Sequence, residues 1–284
     1  SADPGEVPFL LDDDFADPER APTDLAMSER FGKPVSTDSA VHVLAPGVDR
    51  DTVGPLLRRL ATIGPGFGPL VVRSDPTVLS VLDGQQIRDL VTGPGVPVVW
   101  AYVAVEEGIH TAWPGKSGYP DDYDPRQRPW YQLAANQYGP RCGNPYVDSQ
   151  GQGLLLPCAV ALYDRERAFR GVAGMDLTFD TIVDRLLELD RPGVRESFLL
   201  DDQARVIIRS RYREAAPPTD DAGVLAPPRF HSAEAVESMF DAGSGYTETD
   251  DGTLIAWYRL GALGWFYAVE ADAGALLAGN RAGE

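Results

Sequence analysis

The sequence predicts an α+β fold built on antiparallel sheets. Three observations lead there. Short apolar runs bounded by Gly, Pro and acidic turns recur along the 284 residues. Helical stripes are few and short. Strands follow one another in groups, without the regular strand–long-helix alternation of a parallel sheet. With 43% hydrophobic residues the chain can bury a core as one large domain or two of ordinary size. Its 29 glycines and 24 prolines make it loop-rich, short of a linker and without a collagen period.

Residues 1–35 are acidic, proline-containing and poorly periodic, and are expected to form a loose lead-in. In 50–62 the residues Val53, Leu56, Leu57 and Leu60 share one helical stripe, with Gly54-Pro55 expected to confine the regular part to the residues after them. A short helix is expected over Gly84–Leu90. The run Val96–Val105 reads as a buried strand and Ile109–Trp113 as its hairpin partner, with Gly108 helping the turn. An irregular stretch comes next, then Arg128-Pro129-Trp130-Tyr131, where Pro129 suits a first helical turn. Strands are expected over 144–148, 154–163 and Gly171–Asp176, then a helix over 180–189 with Thr178 as its cap. The pattern then repeats in outline. A hairpin is expected at Ser197–Asp201 and Ala204–Ser210, a helix at Ser232–Phe240, and a closing hairpin at Thr253–Leu260 and Gly264–Glu270. Trp257, Trp265 and Phe266 are its candidate core. The natural partition is a larger module over 36–190 and a smaller one over 191–284, connected by the 180–189 helix.

Lys and Arg number 25 against 43 Asp and Glu, a net charge of −18. No basic block is present to exploit nucleic-acid phosphates, and anionic membrane surfaces are disfavoured for the same reason. The surplus starts early, with nine acids and two bases in residues 1–30. The chain carries no run of apolar residues long enough to span a bilayer and no signal-peptide pattern. Its Ser1-Ala2 start leaves targeting or membrane segments of a parent protein to be sought outside it.

Cys142 and Cys158 flank a turn expected near Gln150, so residues whose numbers sum to about 300 face each other across it. The two cysteines satisfy that sum, which puts their side chains within disulfide range. A disulfide implies an oxidising location; the alternative is two unrelated buried thiols. Two cysteines and the scattered His42, His110 and His231 offer no compact metal set, and no cofactor is implied.

The richest cluster is Tyr123-Asp124-Pro125-Arg126-Gln127-Arg128-Pro129-Trp130-Tyr131. A guanidinium clamps a carboxylate bidentately, the indole forms a wall or donates through its N–H, and the phenols meet ligand oxygens. The alternative is that Arg126 and Arg128 pair with Asp121, Asp122 and Asp124 while the rings fill the core. There is no nucleophile elbow, zinc-protease helix or phosphate loop, and paired carboxylates mean little among 43 acids, so no enzyme is expected. The Asp148–Gly153 stretch lacks the ligand series of a calcium loop.

In order and spacing, YDPRQRPWYQLA, NPYVDSQGQ and RGVAGMDLTFDTIVDRL resemble the double Cache sensor domains of bacterial chemoreceptors and sensor kinases, a family also present in calcium-channel auxiliary subunits. GTLIAWYRLGALGWFYAVE resembles the end of the second, membrane-proximal module. The likeness covers residues 95–275. It implies tandem PAS-like modules, each with an antiparallel sheet flanked by helices, the first membrane-distal and ligand-binding. It also implies an extracytoplasmic location and a membrane-anchored parent, with a homodimer as a further expectation. In the amino-acid-binding subgroup, the resemblance gives Arg128 and Trp130 the ligand carboxylate and Asp176 its ammonium, with Tyr123, Tyr131 and Tyr146 around them. Asp148 is a further candidate in the same pocket. Capping of the following helix is the alternative role for Asp176. Trp113 is a candidate lid or wall residue, with hairpin packing as its alternative. The expected ligand is a small zwitterion, foremost a free L-amino acid. A short organic acid, an amine, or a structural module without a solute site are the alternatives.

Overall fold

The computed structural model describes residues 8–148, 151–212, 224–261 and 263–276. The chain divides into two compact units, Ser1–Thr178 and Phe179–Glu284. The division falls ahead of the residue-190 boundary expected from sequence, so the helix expected to link the modules belongs to the second unit.

The first unit opens with β1 (Leu10–Leu11), α1 (Asp12–Ala16), β2 (Ala26–Ser28), β3 (Lys33–Val35) and β4 (Val41–Leu44). Here the expected loose lead-in is corrected for the described residues from 8 onward; the expectation for residues 1–7 lies outside them. Three of its acids, Asp14, Asp17 and Asp24, are turn acceptors. Asp14 is buried, accepts from the Leu11 N–H at 2.7 Å and pairs with Arg20 at 2.6 Å. Asp24 takes the Ser36 hydroxyl at 2.6 Å and the N–H groups of Thr37 and Asp38 at 2.9 and 3.0 Å. Phe15, Phe31 and Val35 are buried anchors of the same segment.

Next come α2 (Arg50–Ala61), α3 (Gly64–Val72) and α4 (Gly84–Thr92). The Asp49 side chain caps α2 through the Thr52 N–H, so the helix begins before Gly54-Pro55 instead of after it. A residue ahead of proline resists the helical region partly through its Cβ, which Gly54 lacks. Helix α3 was not legible in GPGFGPLVV; its Phe67, Val71 and Val72 are buried, and tertiary packing overrides its weak propensity.

Strands β5 (Val98–Val105) and β6 (Ile109–Trp113) precede α5 (Pro129–Ala134), β7 (Arg141–Cys142), β8 (Tyr146–Val147), β9 (Leu154–Tyr163) and β10 (Phe169–Thr178). Among the described residues they form an eight-stranded sheet in the order β1-β4-β6-β5-β10-β9-β7, with β8 also paired to β9. The β1–β4 pair is parallel and the other pairs of this sheet are antiparallel, so the sheet is mixed at one edge rather than wholly antiparallel. Period-two alternation divides its faces. Val103, Val105 and Ile109 pack on α2 residues Val53, Leu57 and Leu60. Trp100, Tyr102, His110 and Ala112 face the other way, into a small hollow.

The second unit comprises α6 (Phe179–Ile182) running into a π-turn over Val183–Leu187, then β11 (Val194–Leu200), β12 (Val206–Arg209), α7 (Ala233–Asp241), β13 (Ser244–Glu248), β14 (Thr253–Leu260) and β15 (Trp265–Asp272). The Ser232 hydroxyl caps α7 through the Ala235 N–H. Its five-stranded antiparallel sheet has the order β12-β11-β15-β14-β13. This is the order of β6-β5-β10-β9-β7 in the first unit, so one strand plan occurs twice. Trp257 and Phe266 lie in its core with Phe198, Leu200 and Met239, and Trp265 is buried as well. No helix among the described residues is long and apolar enough to cross a membrane.

Candidate functional site

One face of the first sheet, with the 116–131 segment and the chain around Tyr146–Asp148, lines a small hollow of about 30 Å³. Strand register determines what reaches it. Asp176 of β10 lies opposite Trp100 of β5, and Gly174 opposite Tyr102. Asp176 and Tyr102 therefore share a face two residues apart. The Tyr102 hydroxyl donates to Asp176 Oδ1 at 3.0 Å and the Tyr146 hydroxyl donates to Oδ2 at 2.8 Å. Tyr102 reaches that far because its ring lies against Gly174. A Cβ there would stand 2.5 Å from the ring carbon Cε2.

Asp176 is 2% exposed. Burial pushes its carboxyl up to about 7, against the opposing pull of the two phenols and of Arg128. The alternative role as a helix cap is not what the contacts show, since both carboxylate oxygens face phenols.

The two arginines of the cluster have different fates. Arg126 is consumed locally. Its Nε and Nη2 donate to Asp124 at 2.9 and 2.8 Å, and its Nη1 to the Glu106 carbonyl at 3.2 Å. Arg128 lines the hollow with its guanidinium carbon 5.9 Å from the Tyr123 ring centre and 5.8 Å from that of Tyr146. Among the described residues no side chain hydrogen-bonds or ion-pairs with it. Five N–H donors are thus held in place by ring faces alone.

Trp130, on the first turn of α5, packs 4.4 Å from Tyr102 and 5.6 Å from His110, centre to centre. Asp148 accepts from the Trp100 indole N–H at 3.3 Å and from the Gln152 N–H at 3.1 Å. Of the residues expected from sequence, Tyr123, Arg128, Trp130, Tyr146, Asp148 and Asp176 line this one hollow.

Two do not. Tyr131 packs edge-on against Trp130 and Phe169 at 5.8 and 6.0 Å, on the far side of a short helix where adjacent residues diverge. Trp113 is buried on the opposite face of β6, donating its indole N–H to the Thr37 carbonyl at 2.9 Å and touching the α3 glycine Gly68. The residue before it, Ala112, faces the hollow, as strand alternation requires.

Six lining residues escaped sequence reasoning: Trp100, Tyr102, His110, Ala112, Lys116 and Tyr119. The first four lie in strands already recognised, and their parity with Asp176 was the available signal. His110 is buried with its Nδ1 unpartnered, and burial followed by the charges of Lys116 and Arg128 holds it well below its usual value, so it is neutral. Lys116 is 1% exposed and sits in a loop whose sequence gives no sign of burial.

Cys142 and Cys158 are direct cross-strand partners and form a disulfide, with Cα atoms 4.0 Å apart. The sum rule that singled them out also holds within one residue for Tyr146↔Leu155 and Val147↔Leu154. Its turn centre at Gln150 lies outside the described residues. Among those residues no group of three His, Cys, Asp or Glu is gathered for a metal ion.

Residues 99–184 match the family model described as the methyl-accepting chemotaxis protein-like, first PDC sensor domain. The methyl-accepting chemotaxis protein PctB of Pseudomonas aeruginosa is 26% identical over 184 residues, covering 63% of this chain and 27% of PctB. McpA of Pseudomonas putida is 34% identical over 111 residues, 39% of this chain and 17% of McpA. The chain therefore spans about a quarter or less of the length of these relatives. The ligand-binding domain of the Pseudomonas fluorescens chemoreceptor CtaA, solved with L-leucine, aligns at 18% identity over 80% of this chain and 90% of that one, with a TM-score of 0.47. The matched segment spans β5 to β10 and runs on into the helix after them, in a chain of α+β build.

Proposed function

We propose that this chain is the extracytoplasmic sensor part of a membrane-anchored, chemoreceptor-type protein and that its hollow takes a free L-amino acid. Arg128 donates to the ligand carboxylate beside Trp130, and Asp176 accepts from the ammonium group. Tyr123 and Tyr146 frame the two. The module senses rather than catalyses, and its sequence relatives are chemotaxis proteins. Full-length assembly as a homodimer belongs to the same reading.

One observation carries the proposal: a guanidinium with no hydrogen bond or ion pair to any side chain among the described residues shares a small ring-walled hollow with a buried carboxylate. An α-amino acid carries opposite charges a short distance apart, and this arrangement offers a complement to each. In a module that does not bind solutes, Arg128 would be expected to find an internal anion, as Arg126 does. The ligand acts by favouring one of two conformations of the module, to the extent that it binds them differently.

Calorimetric titration of the purified protein with the common L-amino acids tests the assignment. Arg128→Ala and Asp176→Asn should each weaken binding by about 2–5 kcal/mol, because each leaves a ligand charge desolvated and unpaired. Binding that survives both substitutions unchanged would refute these roles.

A further inference from the structure

We infer that Lys116 selects among amino acids, favouring those whose side chain ends in an acceptor oxygen, a carboxylate or a carboxamide, to which its ammonium group donates. The inference rests on the amino-acid reading of the same hollow and deepens it.

Lys116 is among the largest fully buried side chains of the described residues, a rare state for lysine without an anion. Its Nζ donates to the Tyr119 hydroxyl at 2.6 Å and lies 4.1 Å and 4.2 Å from the ring centres of Tyr119 and Trp100. No carboxylate among the described residues is within ion-pair distance of it. An ammonium group has three donors, and one hydrogen bond is made. The two ring faces support the cation, yet they supply no acceptor for the remaining N–H groups.

The other polar groups of the hollow are otherwise engaged. Asp148 already receives the Trp100 indole and the Gln152 N–H. Asp176 receives two phenols. His110 is neutral, so among the described residues the cations lining the hollow are Arg128 and Lys116. With Arg128 assigned to the main-chain carboxylate and Asp176 to the ammonium group, Lys116 is left with the charge of Asp148 nearby but without a direct ion pair among the described residues. Burial holds its ammonium down to about 7 in this state, and a ligand oxygen would supply what the protein lacks. The position is held from behind. Gly115, just before it, donates its N–H to the carbonyls of Ser36 and Ser39 at 2.9 and 3.0 Å, and a Cβ at Gly115 would stand 2.3 Å from the Ser39 oxygen.

The experiment compares L-glutamate, L-aspartate, L-glutamine and L-asparagine with L-alanine and L-leucine by calorimetry, on the wild-type protein and on Lys116→Met and Lys116→Gln. Thermal unfolding of each variant checks the fold. Loss of a charged hydrogen bond should lower affinity for the oxygen-bearing ligands by about ten- to a hundredfold and leave the aliphatic ones within about threefold. The acid-versus-amide arms tell whether the charge of the oxygen is needed. Equal losses for all ligands would overturn the inference, since Lys116 would then serve the main chain or the fold. So would a wild-type protein that binds alanine or leucine at least as well as all four oxygen-bearing ligands; the amino-acid reading would survive that result. If no amino acid binds the wild-type protein, both fall together.

Discussion

Replacing Asp176 by asparagine removes an ionisable group from the most enclosed part of the hollow while nearly preserving its shape. The wild-type carboxyl is pushed up from 3.8 to about 7, first by burial, so the folded protein holds this proton more tightly than the unfolded chain does. The stability associated with that proton is fully present below the unfolded value and is lost as pH rises through about 7. At about 1.4 kcal/mol per pH unit the complete loss is about 4 kcal/mol, of which about 3 kcal/mol falls between pH 5 and pH 8. Asparagine cannot ionise and is spared it; its carbonyl still accepts from one phenol. Lys116 titrates nearby with the opposite sign, since burial holds a base down; the Asp176 charge opposes that only as the last of its causes, so Lys116 contributes nearly alike in both proteins. Asp148 and Arg128, which push the Asp176 carboxyl up and down respectively, are already part of its shift, and neutral His110 is common to both proteins. Urea unfolding of both proteins at pH 5, 6, 7 and 8 measures the difference directly. The Asn variant should gain on the wild type across this range, by about 3 kcal/mol at its end, while losing amino-acid binding. Parallel stability profiles would show that the carboxylate is not desolvated as its burial implies, and the charge argument for this site would fail.

Gly174→Ala should displace the Tyr102 ring, since the added carbon would stand 2.5 Å from it, and break the hydrogen bond to Asp176. A melting measurement should show a cost of about 1–3 kcal/mol, with weaker ligand binding alongside. Reduction of Cys142–Cys158, or the double serine variant, opens a loop closed at a sequence separation of 16 and should cost about 3 kcal/mol in denaturant unfolding. Tyr146 and Asp148 lie inside that loop, so ligand affinity should fall with it; unchanged affinity would show that the loop holds its shape unaided.

Much of the second half of the first unit was legible because its signals are local. Ile109–Trp113 and Leu154–Tyr163, like Thr253–Leu260 in the second unit, are bounded by glycine, proline or a charge at the residues where the strands stop. The cysteine pairing followed from counting about one turn. Choosing between Arg126 and Arg128 needed three-dimensional contacts, because both lie within four residues of Asp124. The face of β6 that carries Trp113 was likewise open until its register with β5 was known, and one residue of parity separates wall from core. Lys116 could not be found from PGKSGYP, since burial of a lysine is imposed by distant segments. Residues 8–72 were least legible. Asp14, Asp17 and Asp24 among them act as turn acceptors, and their helix over Gly64–Val72 is assembled from residues that disfavour helices in isolation.

The Asp124–Arg126 clasp has a consequence for how receptive the hollow is. Asp124 stands four residues before Arg128 and is the acid of the same turn; with both oxygens occupied by its neighbour, it is withdrawn from competition for the second guanidinium. On the proposed reading, Arg126 thereby keeps Arg128 vacant for a ligand. Sensitivity to a solute can then be retuned by drift at a position that never meets the solute, through nothing more than the release of a rival anion from inside the protein.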